Sequence, residues 1–292
     1  MSNKIETHIL TFSCKDQIGI VANISAILAK YKCNIVESKQ FTDTLNGNFF
    51  IRQSFTLSEN TKIEDLSSSL NLLSSDLKGV FLLSEIDNKM DTVLLVSKFD
   101  HCLNDLLFRV RNNSLNINIK AIISNHKVAQ EIAEFSNIPF HYLPVDKNHK
   151  DQQEQKIKKI LYDNNIELIV LARYMQVLSE SFTSEFQGKI INIHHSFLPS
   201  FKGSKPYHQA FERGVKVIGA TAHYVTKELD DGPIIEQDTQ EVDHEMMPDD
   251  LISIGRDIES RVLYRALKAH SEKRVFLNGK RTIVFKGHRK VV

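Results

Sequence analysis

The segment Ile190-Ile191-Asn192-Ile193-His194-His195-Ser196-Phe197-Leu198-Pro199 runs from an apolar stretch into a loop closed by proline, and it carries an amide and two imidazoles in close succession. If the apolar part is a strand, its side chains alternate between faces, so Asn192 and His194 share one face and His195 points away. Further on, Gly219-Ala220-Thr221-Ala222-His223-Tyr224-Val225 reads as another strand. It leads into Thr226-Lys227-Glu228-Leu229-Asp230-Asp231-Gly232-Pro233, which sets a carboxylate beside a Gly-Pro turn. An amide donor, an imidazole and a carboxylate that meet at one atom are sufficient for acyl transfer. The donor holds the oxyanion of a tetrahedral intermediate, and the other two stabilise charge and move protons. Each residue also has a plainer role available: Asn192 as a turn former, His194 and His223 as buried hydrogen-bonding histidines, and Asp230 as a surface carboxylate. A zinc site drawn from His194, His195, His208 and His223 is disfavoured, because the adjacent pair splits across the strand and no cysteine lies nearby. No metal is expected.

These groups need a scaffold that brings strand ends together, and the chain has the pattern for one. From Thr92–Val96, through Ile117–Ile123, Phe140–Leu143 and Leu168–Ala172, to Ile190–Ile193, apolar strands alternate with helical stretches, as βα units of a mostly parallel, twisted sheet require. Ligands of such sheets collect at the carboxyl ends of the strands, where Asn192 and His194 fall. A long helix is expected over Asp249–His270, followed by a terminal hairpin at Asn278-Gly279.

A different rhythm precedes this. His8–Cys14 reads as a strand, and Ile20, Val21, Ile24, Ile27, Leu28 and Tyr31 recur at the spacing of a one-sided helix. Strands at Asn34–Thr42 and Asn48–Leu57 flank the hairpin signal Asn46-Gly47. A second helix spans Thr61–Leu77 and a fourth strand Gly79–Ser84, giving the order βαββαβ. The charged stretch Glu85–Met90 reads as a linker, so the expected domains are residues 1–88 and 89–292.

Whole-chain properties narrow the partners. The 292 residues suit two domains, and 37 Lys and Arg against 36 Asp and Glu favour neither nucleic acid nor an anionic membrane. No stretch approaches the roughly 20 apolar residues of a membrane span, and the N-terminus MSNKIETHILTFSC is polar before a short apolar run, which is not the pattern expected of a leader. Cys14, Cys33 and Cys102 form no CxxC pair, which fits reduced thiols. The expectation is a cytoplasmic protein whose partner is a small molecule.

Taken together, NIHHSFLP, GATAHYV and ELDDGPII resemble the folate-dependent formyltransferase family, and NIHHSFLP is similar to that of its formyltetrahydrofolate deformylase branch. The resemblance covers nearly the whole chain, because Lys15-Asp16-Gln17-Ile18-Gly19-Ile20-Val21-Ala22 looks like the first turn of the ACT domain such proteins carry. It implies an α/β fold in which a small ACT-like regulatory or dimerisation domain precedes a Rossmann-like formyltransferase domain. It also implies hydrolysis of 10-formyltetrahydrofolate to formate and tetrahydrofolate, with no separate cofactor, in one-carbon and purine metabolism. Asn192, His194 and Asp230 become the catalytic set, although Asp231 stands where many relatives have glycine. Met175, Gln176, Val177 and Leu178 fall in the pterin-binding loop, Lys227, Glu228 and Leu229 close the opposite wall, and His101 lies in a stretch, SKFDHCLNDLL, that resembles deformylases and reaches toward the substrate. Asp16, Gly19 and Ile20 mark an effector site at a helix N-terminus, where glycine or methionine is the expected ligand. ACT domains usually pair, so a homo-oligomer is expected.

The chief alternative is transfer of the same formyl group to an amine such as glycinamide ribonucleotide. The catalytic residues do not separate the two. The turn Ser97-Lys98-Phe99-Asp100-His101 does, since it lacks the glycines with which the purine-pathway transferases admit a phosphate. A transferase acting on an aminoacyl-tRNA is expected to carry a basic C-terminal extension, whereas 22 residues follow His270 here, so that version is not expected. A catalytically silent amino-acid sensor is argued against by the intact trio.

Overall fold

The computed structural model describes residues 6–58, 61–145, 150–199 and 206–287. The first five residues, read above for a leader, lie outside them. The chain divides into two compact units, one of Met1–Asn88 with Glu272–Asn278 and Phe285–Val292, the other of Lys89–Ser271 with Gly279–Val284.

The first unit contains β1 (Thr7–Lys15), α1 (Ile20–Lys30), β2 (Asn34–Asp43), β3 (Asn48–Thr56), α2 (Ile63–Asp76) and β4 (Val80–Glu85). Its sheet has the order β2-β3-β1-β4, and every neighbouring pair is antiparallel. α1 forms because Ile20, Ile24 and Leu28 recur every four residues and are buried, and in α2 Leu66, Leu70 and Leu73, at spacings of four and three, form the matching buried stripe. Both apolar stripes join Leu10, Phe12, Ile51 and Phe55 of the sheet in one core. Gly47 alone supplies the left-handed residue of the β2–β3 turn (φ 67), whose Asn46 and Gly47 N–H groups donate to the Asp43 carbonyl. β3 departs from simple alternation, being buried from Phe49 to Phe55. Its second face meets the returning C-terminal residues of this unit: Phe50 packs edge-on against Phe276, Arg52 donates to the Glu272 carbonyl, and Asn278 donates to Asp43.

The second unit follows with β5 (Met90–Val96), α3 (His101–Arg111), β6 (Ile117–Ser124), α4 (Gln130–Phe135), β7 (Phe140–Tyr142), α5 (Lys150–Asp163), β8 (Leu168–Leu171), α6 (Glu180–Glu185), β9 (Ile190–His194), α7 (Pro206–Glu212), β10 (Val217–Tyr224), β11 (Ile234–Glu241) and α8 (Pro248–Ser271). Two short strands come last in the chain, β12 (Val275–Asn278) in the first unit and β13 (Arg281–Val284) in the second, and Gly279 between them has φ 64. The sheet order is β11-β10-β9-β8-β5-β6-β7. The five strands from β9 to β7 run parallel to one another, and β10 is antiparallel to both β9 and β11. The middle strands are continuous apolar runs buried on both faces, as in Val93–Val96 and Leu168–Leu171. From β5 the chain builds outward through β6 and β7, then returns to add β8 and β9 on the other side. The reversal makes a crevice at the carboxyl ends of β5 and β8, where α/β sheets bind ligands. Among the described residues no helix is long and apolar enough to cross a membrane.

Candidate active site

Three segments converge beside that crevice around a cavity of about 270 Å³. Arg173 to Leu178 follow β8, Asn192 to His195 end β9, and His223 to Asp230 lead out of β10. Its rim is apolar and open, with Met175, Val177 and Leu229 more than half exposed at 52%, 57% and 63%. That leaves flat apolar surface for a ligand larger than the cavity itself. Asn192, His194 and Asp230 all line this cavity, as do Met175, Gln176, Val177, Leu178, Lys227, Glu228 and Leu229.

The register of β9 and β10 sets the central contacts. Asn192 lies directly opposite His223, and a bulge in the β10–β11 ladder falls between Ala222 and His223, a device that re-aims a side chain. Nδ1 of His223 donates to the Tyr224 carbonyl at 2.9 Å, which leaves Nε2 as the acceptor for the Asn192 amide at 3.2 Å. One amide hydrogen of Asn192 is thereby committed and the other is left for a ligand oxygen. Burial lowers the pKa of His223 and keeps the acceptor nitrogen unprotonated, although its bond to the carbonyl and the Asp230 charge act the other way.

His194 points Nδ1 at Oδ2 of Asp230, 3.3 Å away, while its buried Nε2 has no hydrogen-bond partner among the described residues. A buried polar atom without a partner inside a crevice is a place for a substrate atom. Oδ1 of Asp230 lies 3.8 Å from Nε2 of His223. Burial alone would raise the Asp230 carboxyl; the hydrogen bond and charge of His194, with the charges of His223 and His195, hold it below its ordinary value. Asp230 itself sits at φ 55, and the loop can follow this path because residue 232 is glycine: a Cβ there would fall 1.7 Å from the Tyr224 carbonyl oxygen. Asp231 is exposed. Of the two adjacent aspartates, Asp230 is the one beside His194.

His195 differs from the sequence expectation. It also lines the cavity, with its ring centroid 5.0 Å from that of His194, because β9 ends at His194 and the alternation of a strand no longer governs the next residue. Burial, with the charges of Arg173 and His194, pushes its pKa down to about 4.

The loop that follows β8 is anchored from below. The Met175 N–H donates to Oγ of Ser97 at 3.0 Å, and that hydroxyl donates to Asn125 at 2.7 Å, tying the loop to the ends of β5 and β6. Ser179 caps α6 by accepting from the Phe182 N–H, and its own N–H donates to Glu154.

His101 is not among the residues lining the cavity. Its Nε2 lies 2.8 Å from Oε2 of Glu259, a residue of α8 that is 1% exposed. Glu259 also accepts from the Tyr207 hydroxyl at 2.7 Å and stands 3.2 Å from Nε of Arg173. Burial would raise the Glu259 carboxyl, and these partners hold it below its ordinary value. Sequence reasoning missed Arg173 and Glu259, which are far apart in the chain. His101, Cys102 and Glu259 bring ligand atoms within 4.8 Å of one another, a grouping a metal could use. Both oxygens of Glu259 already have partners, Oε2 in His101 and Arg173 and Oε1 in Tyr207, so we assign no metal there.

In the first unit Gly19 precedes α1 at φ 94, Asp16 is exposed, and Ile20 is 2% exposed with its side chain in the core. Any ligand at this turn would meet backbone at Ile20.

Residues 90–267 match the formyl transferase family. The chain is 45% identical to a formyltetrahydrofolate deformylase of Corynebacterium sp. (strain P-1), covering 98% of this chain and 100% of that one. Its fold matches the crystal structure of a formyltetrahydrofolate deformylase from Burkholderia mallei with a TM-score of 0.93 at 42% identity, covering 96% of this chain and 100% of that one. A glycinamide ribonucleotide transformylase from Symbiobacterium toebii matches less extensively, with a TM-score of 0.65 at 26% identity, covering 69% of this chain and 97% of that one. The chain belongs to the formyl transferase family and, within it, to the formyltetrahydrofolate deformylases.

Proposed function

We propose that this chain hydrolyses 10-formyltetrahydrofolate to formate and tetrahydrofolate, and that Asn192, His194 and Asp230 carry the reaction. The observation that supports this most is the unpartnered Nε2 of His194 beside the free amide hydrogen of Asn192, with the Asp230 carboxylate on the far side of the imidazole. Asn192 donates to the formyl oxygen. His194, backed by Asp230, turns its unpartnered Nε2 toward that oxygen and stabilises the charge that grows on it, and Asp230 takes up the proton of the attacking water. The water oxygen bonds to the formyl carbon, the bond from that carbon to N10 breaks, and N10 takes a proton as formate leaves. Met175 to Leu178 and Lys227 to Leu229 hold the folate's ring end across the apolar rim. Hydrolysis consumes only water, so no cofactor is required.

Transfer to an amine is the second reading, favoured by the structural match to a glycinamide ribonucleotide transformylase. Against it, the first βα turn of the second unit, Ser97 to His101, lacks the glycines that would let backbone N–H groups approach a phosphate, and it carries Phe99 and Asp100 instead. Incubating pure protein with 10-formyltetrahydrofolate and no amine tests the choice, since only hydrolysis then produces formate.

We place the enzyme in the cytoplasm, where its three free cysteines stay reduced and its formate feeds one-carbon and purine metabolism. Residues 1–88 act as a regulatory or dimerisation domain of a homo-oligomer, and residues 89–292 as the catalytic domain. The turn at Asp16, Gly19 and Ile20 takes a small amino acid, glycine or methionine, through backbone N–H groups. A turnover rate indifferent to a panel of amino acids, with no binding seen by calorimetry, would leave that turn an assembly element only.

A further inference from the structure

Eight non-glycine residues among those described adopt a left-handed backbone. Six of them, Lys32, Lys78, Asn113, Asn137, Asn165 and Lys273, stand just past the ends of helices, where that conformation is ordinary. The other two are Arg173 (φ 66) and Asp230 (φ 55), and both line the cavity. Holding a non-glycine residue in this conformation costs energy, and such strain gathers where a side chain has a task. Asp230 has one beside His194. Arg173 has none in the reaction as derived so far.

The side chain of Arg173 is held with care. It is buried, at 7% exposure, and its Nε, which makes no hydrogen bond among the described residues, faces Oε2 of Glu259 at 3.2 Å as an ion pair. Glu259 is fixed in turn by Tyr207 and His101. The Tyr207 ring fits only because residue 255, one turn earlier on α8, is glycine: a Cβ there would lie 2.2 Å from the ring. A buried ion pair is expensive and is often no more stable than an apolar replacement. A guanidinium does not lose its proton in a protein, and Arg173 lines the cavity whereas its partner Glu259 does not, so this wall presents a cation to the cavity with its paired carboxylate behind it.

We propose that Arg173, clamped by Glu259, is the specificity-determining residue that reserves the acceptor side of the site for water, by placing a fixed cation where an amine acceptor would arrive as an ammonium ion. The proposal rests on the hydrolase reading given above. An α-amino group has a pKa of about 7.7–8.0 and is therefore mostly cationic at pH 7. To compete it must shed its water beside a like charge in a confined cavity, a juxtaposition that suppresses wrong partners strongly. Water carries no charge and meets no such barrier. With an amine acceptor the amine nitrogen would bond to the formyl carbon and release a proton, the bond to N10 would break, and N10 would gain a proton, leaving an N-formyl product and tetrahydrofolate.

The test offers glycinamide together with 10-formyltetrahydrofolate at pH 7, and measures formate and N-formylglycinamide. Wild type and Arg173→Lys, which keeps the charge, should give formate almost alone. Arg173→Met, and the double variant Arg173→Met/Glu259→Gln that removes both charges at once, should divert at least about tenfold more formyl to glycinamide than wild type does. A wild-type partition in folded Arg173→Met and in the double variant overturns the proposal. A measurement on the unaltered enzyme stands beside this one: methoxyamine, small and uncharged at pH 7, should trap formyl detectably where glycinamide does not, and equal exclusion of both contradicts a role for charge. Wild type that releases no formate at all would instead sink the hydrolase reading.

Discussion

Asn192 and His223 face each other across the antiparallel pair of β9 and β10, with the amide Nδ2 of one 3.2 Å from Nε2 of the other. Because Nδ1 of His223 is spent on the Tyr224 carbonyl, this contact fixes which way the Asn192 amide points. Asn192→Ala should therefore lower kcat about 10²- to 10³-fold, the loss of an oxyanion donor. His223→Phe keeps a planar aromatic ring, somewhat larger, and removes both the acceptor for Asn192 and the donor to the Tyr224 carbonyl, so it should lower kcat by about tenfold with KM little changed. Residues acting through one another are non-additive. The double variant, assayed by formate release, should be no worse than Asn192→Ala, and fully multiplicative losses would separate the two roles.

The adjacent aspartates offer a paired comparison. Asp230 lies 3.3 Å from His194, whereas Asp231 is exposed. Asp230→Asn should reduce turnover about 10²- to 10⁴-fold, and Asp231→Asn should stay near wild type. A reversal of that order in steady-state assays would move the role to Asp231.

Gly232 gives a backbone test of the same loop. With a Cβ placed 1.7 Å from the Tyr224 carbonyl oxygen, Gly232→Ala must push the Asp230 loop away from β10. We expect a loss of about 2 kcal/mol or more in denaturant unfolding, together with severe loss of turnover. Unchanged stability would mean that the loop does not lie where we describe it.

The buried histidines should make the second unit sensitive to mild acid. The pKa of His195 is about 4 in the folded state against an ordinary 6.5. Between those values the unfolded chain binds a proton that the folded chain does not, so stability falls as pH falls through that window, by up to about 3 kcal/mol for this residue. His223 is lowered too and acts in the same direction. Asp230, held below its ordinary value, adds a loss at still lower pH. Comparing urea unfolding at pH 7 and pH 5, His195→Gln should lose less stability than wild type. An equal loss would place the acid sensitivity elsewhere.

Much of the scaffold was legible because it depends on local periodicity. The four-residue spacing of Ile20, Ile24 and Leu28 marks α1, and Asn46-Gly47 marks the β2–β3 turn. The apolar runs of β5, β6, β8 and β9 declare strands buried on both faces. β11 was not foreseen, since Ile234–Glu241 is a polar edge strand with little of its surface buried. Asn192 and His194 could be placed on one face because both lie within β9, whereas His195 was misplaced because the strand stops one residue before it. The contact between Asn192 and His223 depends on an antiparallel register that no short-range pattern encodes. Arg173 and Glu259 escaped notice for a similar reason: one sits in an apolar loop, the other on a helix whose remaining buried face is apolar, and only the fold brings them together.

The acceptor is the central claim, and isotopic water tests it most directly. 10-Formyltetrahydrofolate is turned over by the wild-type enzyme in ¹⁸O-enriched water without any added amine, and the formate is analysed by mass. The expected result is formate carrying one solvent-derived oxygen per molecule, produced in step with tetrahydrofolate. Unlabelled formate, or tetrahydrofolate that appears only when an amine is supplied and then with a formylated amine as co-product, would contradict hydrolysis by water at this site.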